Sequence, residues 1–141
     1  MIQPAQYPIK HVALIALLGL LGEPAHAEWL EVMANIETGQ TVYVDQDNIH
    51  RNGDLVEMWT MYDYKIAQRA GRDAYMSRKV QNEFNCAQEA RRMLSVTEFS
   101  GNMGNGKVVY EKPSLLSTEP RWTRVQPGVG EILLKVACGK K

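Results

Sequence analysis

Few residues of this sequence have the types that catalysis or metal binding usually needs. The chain contains three histidines and two cysteines. Two of those histidines, His11 and His26, fall in a segment that we expect to be removed, which leaves His50. One imidazole cannot build a histidine-rich zinc site. His50 could act alone as a general base, but it stands in a polar turn beside Arg51 and Asn52, so a solvated turn residue is the better interpretation.

One glycine-rich segment is close to a phosphate-binding loop but fails at its last position. Residues 101–108 have the sequence GNMGNGKV, which matches G-x-x-x-x-G-K. A nucleotide-binding loop then needs Ser or Thr to reach Mg²⁺, followed by a helix whose N-terminus faces the phosphates. Here Val108 takes that place, and the residues after it favour a strand. We therefore predict a hairpin loop, and the sequence predicts no catalytic residue, no cofactor site and no metal site.

The first residues of the chain predict a secretory signal peptide. An apolar run from Val12 to Leu21 follows two basic residues, and Ala25–Ala27 supplies a small-residue cleavage site. The run is much shorter than the roughly 20 residues that a transmembrane helix needs, so we expect no transmembrane segment in the mature chain. A buried core helix is the alternative, which nearby glycines and a proline disfavour. Cleavage between Ala27 and Glu28 divides the chain into a signal peptide, residues 1–27, and a single domain, residues 28–141.

The two cysteines, Cys86 and Cys138, both remain after cleavage. Exported proteins meet an oxidising compartment, where two cysteines have only one intramolecular pairing. A redox or metal-binding thiol pair is the alternative, but no C-x-x-C spacing supports it. We therefore expect a structural disulfide. It would close a loop of about 52 residues, for which the loop-entropy model gives roughly 4 kcal/mol of stabilisation.

Charge and composition exclude two classes of partner. The chain has 16 Lys and Arg against 16 Asp and Glu, and 45% of its residues are hydrophobic. A neutral chain lacks the cationic surplus that binding to nucleic acid or to an anionic membrane requires, so we expect neither. The hydrophobic fraction is ordinary for one globular domain.

The order of the sequence patterns predicts an α+β fold that is mainly antiparallel sheet, with about six strands. The strand patterns lie at residues 28–33, 41–44, 55–65, 74–86, 93–99 and 107–112. Asn52 and Gly53 indicate a hairpin turn before the third pattern. Residues 129–138 fit both a helical stripe and a strand, and we favour a small C-terminal helix because Leu, Lys and Ala prefer it.

The third and fourth strand patterns allow more detailed expectations. The third has apolar residues at both odd and even positions, so we expect this strand to be central in the sheet and covered on both faces. In the fourth, Val80 and Phe84 share a face that Arg78 and Asn82 interrupt, so we expect that face to be only partly buried. The polar residues 66–73 between the two patterns predict a connecting loop.

Without a catalytic centre, the protein is expected to act through its surface. The loops at residues 66–73 and 100–106 are candidate contacts, because binding residues commonly lie on loops held by a rigid sheet. Only the first loop carries charge, through Arg69 and Arg72, which makes these two the candidate binding residues. The sheet edges are further candidates, since an edge strand can pair with a partner or with a second copy in a homodimer.

Two residue groups have a structural interpretation beside a functional one. Arg91 and Arg92 could mark an anion site, but the solvated start of a strand is the better interpretation. Four aromatic residues could form a binding surface, although a domain of this size needs most of them in its core. They are Trp59, Tyr62, Tyr64 and Tyr75.

Several short motifs occur in a characteristic order. They are TVYVD at 41–45, YDYK at 62–65, VQNEFNC at 80–86, SGNMGNG at 100–106 and PGVGEILLKVAC at 127–138. This order resembles the bacterial surface-adhesin protein E family. The resemblance implies an antiparallel sheet with a small helix, a Cys86–Cys138 bridge and no active site. It also implies adhesion to extracellular-matrix proteins of a host.

One departure from the family bears on location. Surface adhesins of this type are expected to carry a lipid on a cysteine directly after the cleavage site, but Glu28 stands there. We therefore expect the mature protein to be periplasmic or secreted and not lipid-anchored. The first hypothesis is an exported, non-enzymatic adhesion-type protein whose partner is an extracellular-matrix-type or cell-envelope protein. The alternative is a soluble periplasmic accessory protein that binds a small ligand or an envelope partner.

The signal-peptide interpretation predicts that the mature chain begins at Glu28. N-terminal sequencing of the protein from its native envelope fraction should read Glu-Trp-Leu-Glu-Val. A start at Met1, or a cytoplasmic location, would contradict export and would remove the oxidising compartment on which the disulfide expectation depends.

Overall fold

The computed structural model describes residues 28–71, 73–113 and 121–139, so Ala27 and the rest of the predicted signal peptide lie outside it. The described residues form one antiparallel sheet and one α-helix, which confirms the predicted fold class. The helix, α1, spans Val129–Cys138. The strands are β1 (Trp29–Asn35), β2 (Gln40–Asp45), β3 (His50–Asn52), β4 (Leu55–Ala70), β5 (Asp73–Asn85), β6 (Ala90–Phe99), β7 (Val108–Lys112) and β8 (Thr123–Arg124).

The long strands pair in chain order and form a meander. Across the sheet the order is β1-β2-β4-β5-β6-β7, while the short β3 pairs with β4 and the short β8 pairs with β6. Tight turns allow this order, and Gly39 and Gly53 adopt φ of 67° and 60° in two of them, a conformation that glycine reaches without strain. β4 is therefore central, as its apolar pattern predicted, and β1 and β7 form the two edges of the described sheet.

The hydrophobic core lies between α1 and one face of the sheet. Its members come from β2, β4, β5 and α1, and they are Val42, Val44, Val56, Met58, Phe84, Leu133, Leu134 and Ala137. A helix of ten residues is about 15 Å long and about 10 Å wide. A sheet six strands wide measures about 24 Å between its outer strands. The helix therefore covers only part of one face, over β1, β4 and β5.

Two contacts fix the C-terminal end of α1 to the sheet. Cys138 forms a disulfide with Cys86, which directly follows β5, with 5.7 Å between the Cα atoms. The Arg51 guanidinium donates a hydrogen bond of 2.7 Å to the carbonyl oxygen of Ala137. Gly139 then ends the helix in the left-handed conformation. The predicted disulfide and the predicted helix are both confirmed.

The prediction of a connecting loop at residues 66–73 was wrong. β4 continues to Ala70 and β5 begins at Asp73, so most of this segment is a β-hairpin in which Arg69 pairs with Ala74. A bulge between Asp63 and Gln68 precedes the paired part. Backbone pairing does not require a buried face, so polar side chains indicated solvent exposure here and not a loop. The sequence patterns also missed the two short strands β3 and β8.

Candidate functional site

The sheet face opposite α1 is a broad candidate surface. Neighbours along a strand point to opposite faces, and residues paired across strands share a face. Val44 and Met58 pack against α1. The residues that alternate with the core residues along β2, β4 and β5 therefore point to the opposite side of the sheet, away from α1. We call this surface the open face, and its central residues are Trp29, Tyr43, Trp59, Lys79 and Gln81.

A lysine lies between two tryptophans at the centre of the open face. The Nζ atom of Lys79 is 4.5 Å from the ring centroid of Trp59 and 5.8 Å from that of Trp29. These distances are typical of cation–π attraction, which holds all three side chains together. Both tryptophans are half-buried, so each ring keeps part of its surface accessible. The strands therefore present a rigid aromatic group with a positive charge at its centre.

The polar residues around this group are held by one another. Gln81 donates a hydrogen bond of 3.3 Å from Nε2 to Oε2 of Glu57. The Arg92 guanidinium forms an ion pair of 2.7 Å with the buried Glu83, and its Cζ lies 4.6 Å from the ring centroid of Trp122. Because these side chains are already positioned, a partner would lose little of its binding free energy in ordering them.

The loop at residues 100–106 covers one end of the open face. The fully buried Ser77 holds it, since Ser77 Oγ donates a hydrogen bond of 2.6 Å to the carbonyl of Gly101 and accepts one of 2.9 Å from the N–H of Gly104. The Asp63 carboxylate accepts two more from the loop, at 2.7 and 3.1 Å. β7 follows the loop, which confirms the predicted hairpin loop. The loop is thus docked on the sheet as part of the fold.

The predicted binding pair is only half described. Arg69 is exposed on β4, close to the turn that leads to β5. Arg72 lies outside the described residues, so the role of the pair stays a prediction. His50 is exposed on β3. Within the described ranges, no group of three or more His, Cys, Asp and Glu residues could hold a metal ion, and no described helix has the length and apolar character needed to cross a membrane.

The four predicted aromatic residues divide between core and surface. Tyr64 and Tyr75 are buried and pack edge to face, with ring centroids 5.8 Å apart, which confirms the core interpretation for these two. Trp59 instead belongs to the open face, together with Trp29 and Lys79, whose role the sequence did not indicate. Alternation along a strand shows which residues share a face, but the register between strands, which brings these three together, depends on pairing across the whole sheet.

A comparison with known families gives the class of this protein, which is adhesin-like. The family model for surface-adhesin protein E matches residues 29–139, and the chain belongs to that family. This confirms the resemblance seen in the sequence motifs. No curated protein matches the chain.

Solved structures of Haemophilus influenzae protein E are similar in fold. One has a TM-score of 0.55 at 10% identity, over 82% of this chain and 87% of that chain. Crystal form II has a TM-score of 0.54 at 11% identity, over 79% of this chain and 95% of that chain. Protein E from a non-typeable strain gives 0.54 at 11% identity, over 84% and 82%. At such low identity the similarity establishes the fold.

The docking of the loop at residues 100–106 yields a stability prediction. Ser77→Ala removes the hydroxyl that serves Gly101 and Gly104, and it should lower the free energy of unfolding by roughly 1–3 kcal/mol because it leaves two backbone groups without their partner. Urea denaturation measures this loss. Ser95→Ala is the matched control, since Ser95 makes only a 3.4 Å contact with Gln81, and it should cost less than about 0.5 kcal/mol. Equal stability of the two variants would contradict the docking role of Ser77.

Proposed function

We propose that this adhesin-like protein is exported, has no enzymatic activity and binds a protein partner through the open face. The observation that carries the proposal is the placement of Lys79 between Trp29 and Trp59 on the sheet face opposite α1. Membership of the surface-adhesin protein E family supports the same class of function. The partner is an extracellular-matrix-type or cell-envelope protein.

The chemistry of the open face supports protein binding. Tryptophan is among the residues that contribute most to protein interfaces, because a large rigid ring loses little conformational entropy when it is buried. Lys79 adds a positive charge that an acidic side chain of the partner can approach between the rings. A surface that combines two tryptophans with one cation thus selects a partner segment that is apolar with a carboxylate at its centre.

The hairpin end of β4 and β5 has a separate role in this proposal. Arg69 and Arg72 supply two positive charges that speed the approach of an acidic partner, since charges at the rim of an interface act mainly on the association rate. The edge strands β1 and β7 offer backbone groups for pairing with a partner segment or with a second copy in a homodimer.

Binding kinetics can separate the contribution of the tryptophans on the open face from that of Arg69 and Arg72. The mature chain, residues 28–141, is passed over immobilised matrix extract and over immobilised envelope extract in a surface plasmon resonance experiment. Trp29→Ala with Trp59→Ala should weaken binding by about tenfold or more through faster dissociation, because interface anchors are lost. Arg69→Glu with Arg72→Glu should instead slow association, and the effect should fade as salt is raised.

Ile36→Ala is the matched control, because Ile36 is an exposed apolar residue in the turn between β1 and β2, outside both proposed contact regions. It should leave both rate constants unchanged, and melting temperatures should show that every variant is folded. Binding that survives the double tryptophan variant would exclude the open face. Turnover of generic ester or peptide substrates that is lost on substitution of His50 would refute the non-enzymatic assignment.

A further inference from the structure

The half of the helix-bearing face that α1 leaves uncovered contains a cavity. It has a volume of about 420 Å³ and is bounded by β4, β5, β6, the end of β7 and the residues that lead into β8. This volume lies within the range of small-molecule sites in proteins. The open face lies on the other side of the sheet, so the cavity is a separate site from the one proposed above.

Positive charge is concentrated in this cavity. Four of its lining side chains are cationic, namely Arg78, Arg91, Lys112 and Arg121, whereas Arg92 borders the cavity but directs its guanidinium to Glu83 on the open face. The chain as a whole is formally neutral, yet the fold gathers a quarter of the chain's 16 Lys and Arg residues at one place. A concave surface with charges of one sign focuses the electric field and attracts ions of the other sign.

Most of these charges are not neutralised within the described residues. Arg92 forms a close ion pair with Glu83, but Arg78 lies 3.5 Å from Glu98, which is long for a charge-assisted hydrogen bond. The Nε of Arg78 is buried and has no hydrogen-bond partner in the described part of the chain. Among those same residues, Arg91, Lys112 and Arg121 form no ion pair within 4 Å.

The remaining lining groups provide a hydrogen-bond donor and an apolar floor. Burial raises the pKa of the Tyr62 hydroxyl, although the neighbouring Arg91 acts in the opposite direction, so Tyr62 is a neutral donor at physiological pH. Val80 and Met93 line the cavity between the cationic groups. The arrangement offers donors to an anion and apolar contact to the body that carries it.

The N-terminal turn of α1 lies beside this cavity. A Cβ atom at Gly130 would lie 3.9 Å from Cζ of Arg91, so the first helical turn borders one of the cationic side chains. The N-terminal end of a helix carries a partial positive charge. The helix backbone therefore adds to the positive potential, and the one carboxylate of this first turn, Glu131, forms an ion pair of 3.1 Å with Lys135.

We infer that this cavity binds a small molecule with clustered tetrahedral oxyanions, a phosphate or sulfate compound with at least two negative charges. Three cations without an ion pair in the described residues match such a ligand in charge. Arginine in particular offers paired N–H donors that fit two oxygens of one phosphate or sulfate group. A monovalent carboxylate would leave much of the positive charge unpaired.

Isothermal titration calorimetry of the mature chain tests this inference, with inorganic pyrophosphate and a heparin-derived disaccharide as probes. At least one probe should bind with one-to-one stoichiometry, and the tighter of the two identifies phosphate or sulfate as the preferred group. Lys112→Gln with Arg121→Gln should weaken that binding by about tenfold or more, because each substitution removes a charge-assisted contact. Both residues are exposed, so the fold should not change.

Lys65→Gln with Lys107→Gln is the matched control, because it removes the same charge from two exposed lysines outside the cavity. It should change the affinity by less than about twofold, since screening by salt limits the reach of distant charges. Absence of binding to both probes would overturn the inference. An equal loss in the two double variants would also overturn it, because attraction would then come from general charge. Binding of matrix or envelope proteins by the open face is measured in a separate experiment. Failure of one proposal therefore does not decide the other.

Discussion

The attachment of one short helix to a wide sheet is the constraint on which the rest of this structure depends. α1 has ten residues and buries Leu133, Leu134 and Ala137 against β2, β4 and β5. Its C-terminal end is fixed by the Cys86–Cys138 bridge and by the hydrogen bond from Arg51. A helix of this size cannot cover a sheet six strands wide, so part of one face and most of the other stay accessible.

The two accessible regions differ in chemistry. The open face has tryptophans beside Lys79 and fits the binding of a protein surface, whereas the uncovered half of the helix-bearing face has a cavity with a cationic lining. The alternative hypothesis of a protein that holds a small ligand draws its support from this cavity. Neither region requires catalytic groups, and one domain can carry both because the sheet separates them.

Local patterns were sufficient for much of the fold. Alternation and turn residues predicted six of the strands, and the helix preference of Leu, Lys and Ala at residues 129–138, which also fit a strand, predicted α1. Both residues that interrupt the apolar face of β5 line the cavity, but only Arg78 is half-buried there, whereas Asn82 is buried, so the prediction of partial burial held only for part of this face. The solvated interpretation of Arg91 and Arg92 overlooked the same cavity. The net charge did not predict the cationic cavity, because neutrality of the whole chain does not describe how the fold distributes its charges.

The role of the bridge in holding α1 is tested most directly by the free energy of unfolding of the native protein and of the variant Cys86→Ser with Cys138→Ser. Urea denaturation of both measures it. The variant should be less stable by roughly 2–5 kcal/mol, because the unfolded chain regains the freedom that the bridge removes and the end of α1 loses its attachment to β5. A difference of less than about 0.5 kcal/mol, the size expected of an inconsequential substitution, would contradict this account and would show that packing and the Arg51 hydrogen bond hold the helix on the sheet without the bridge.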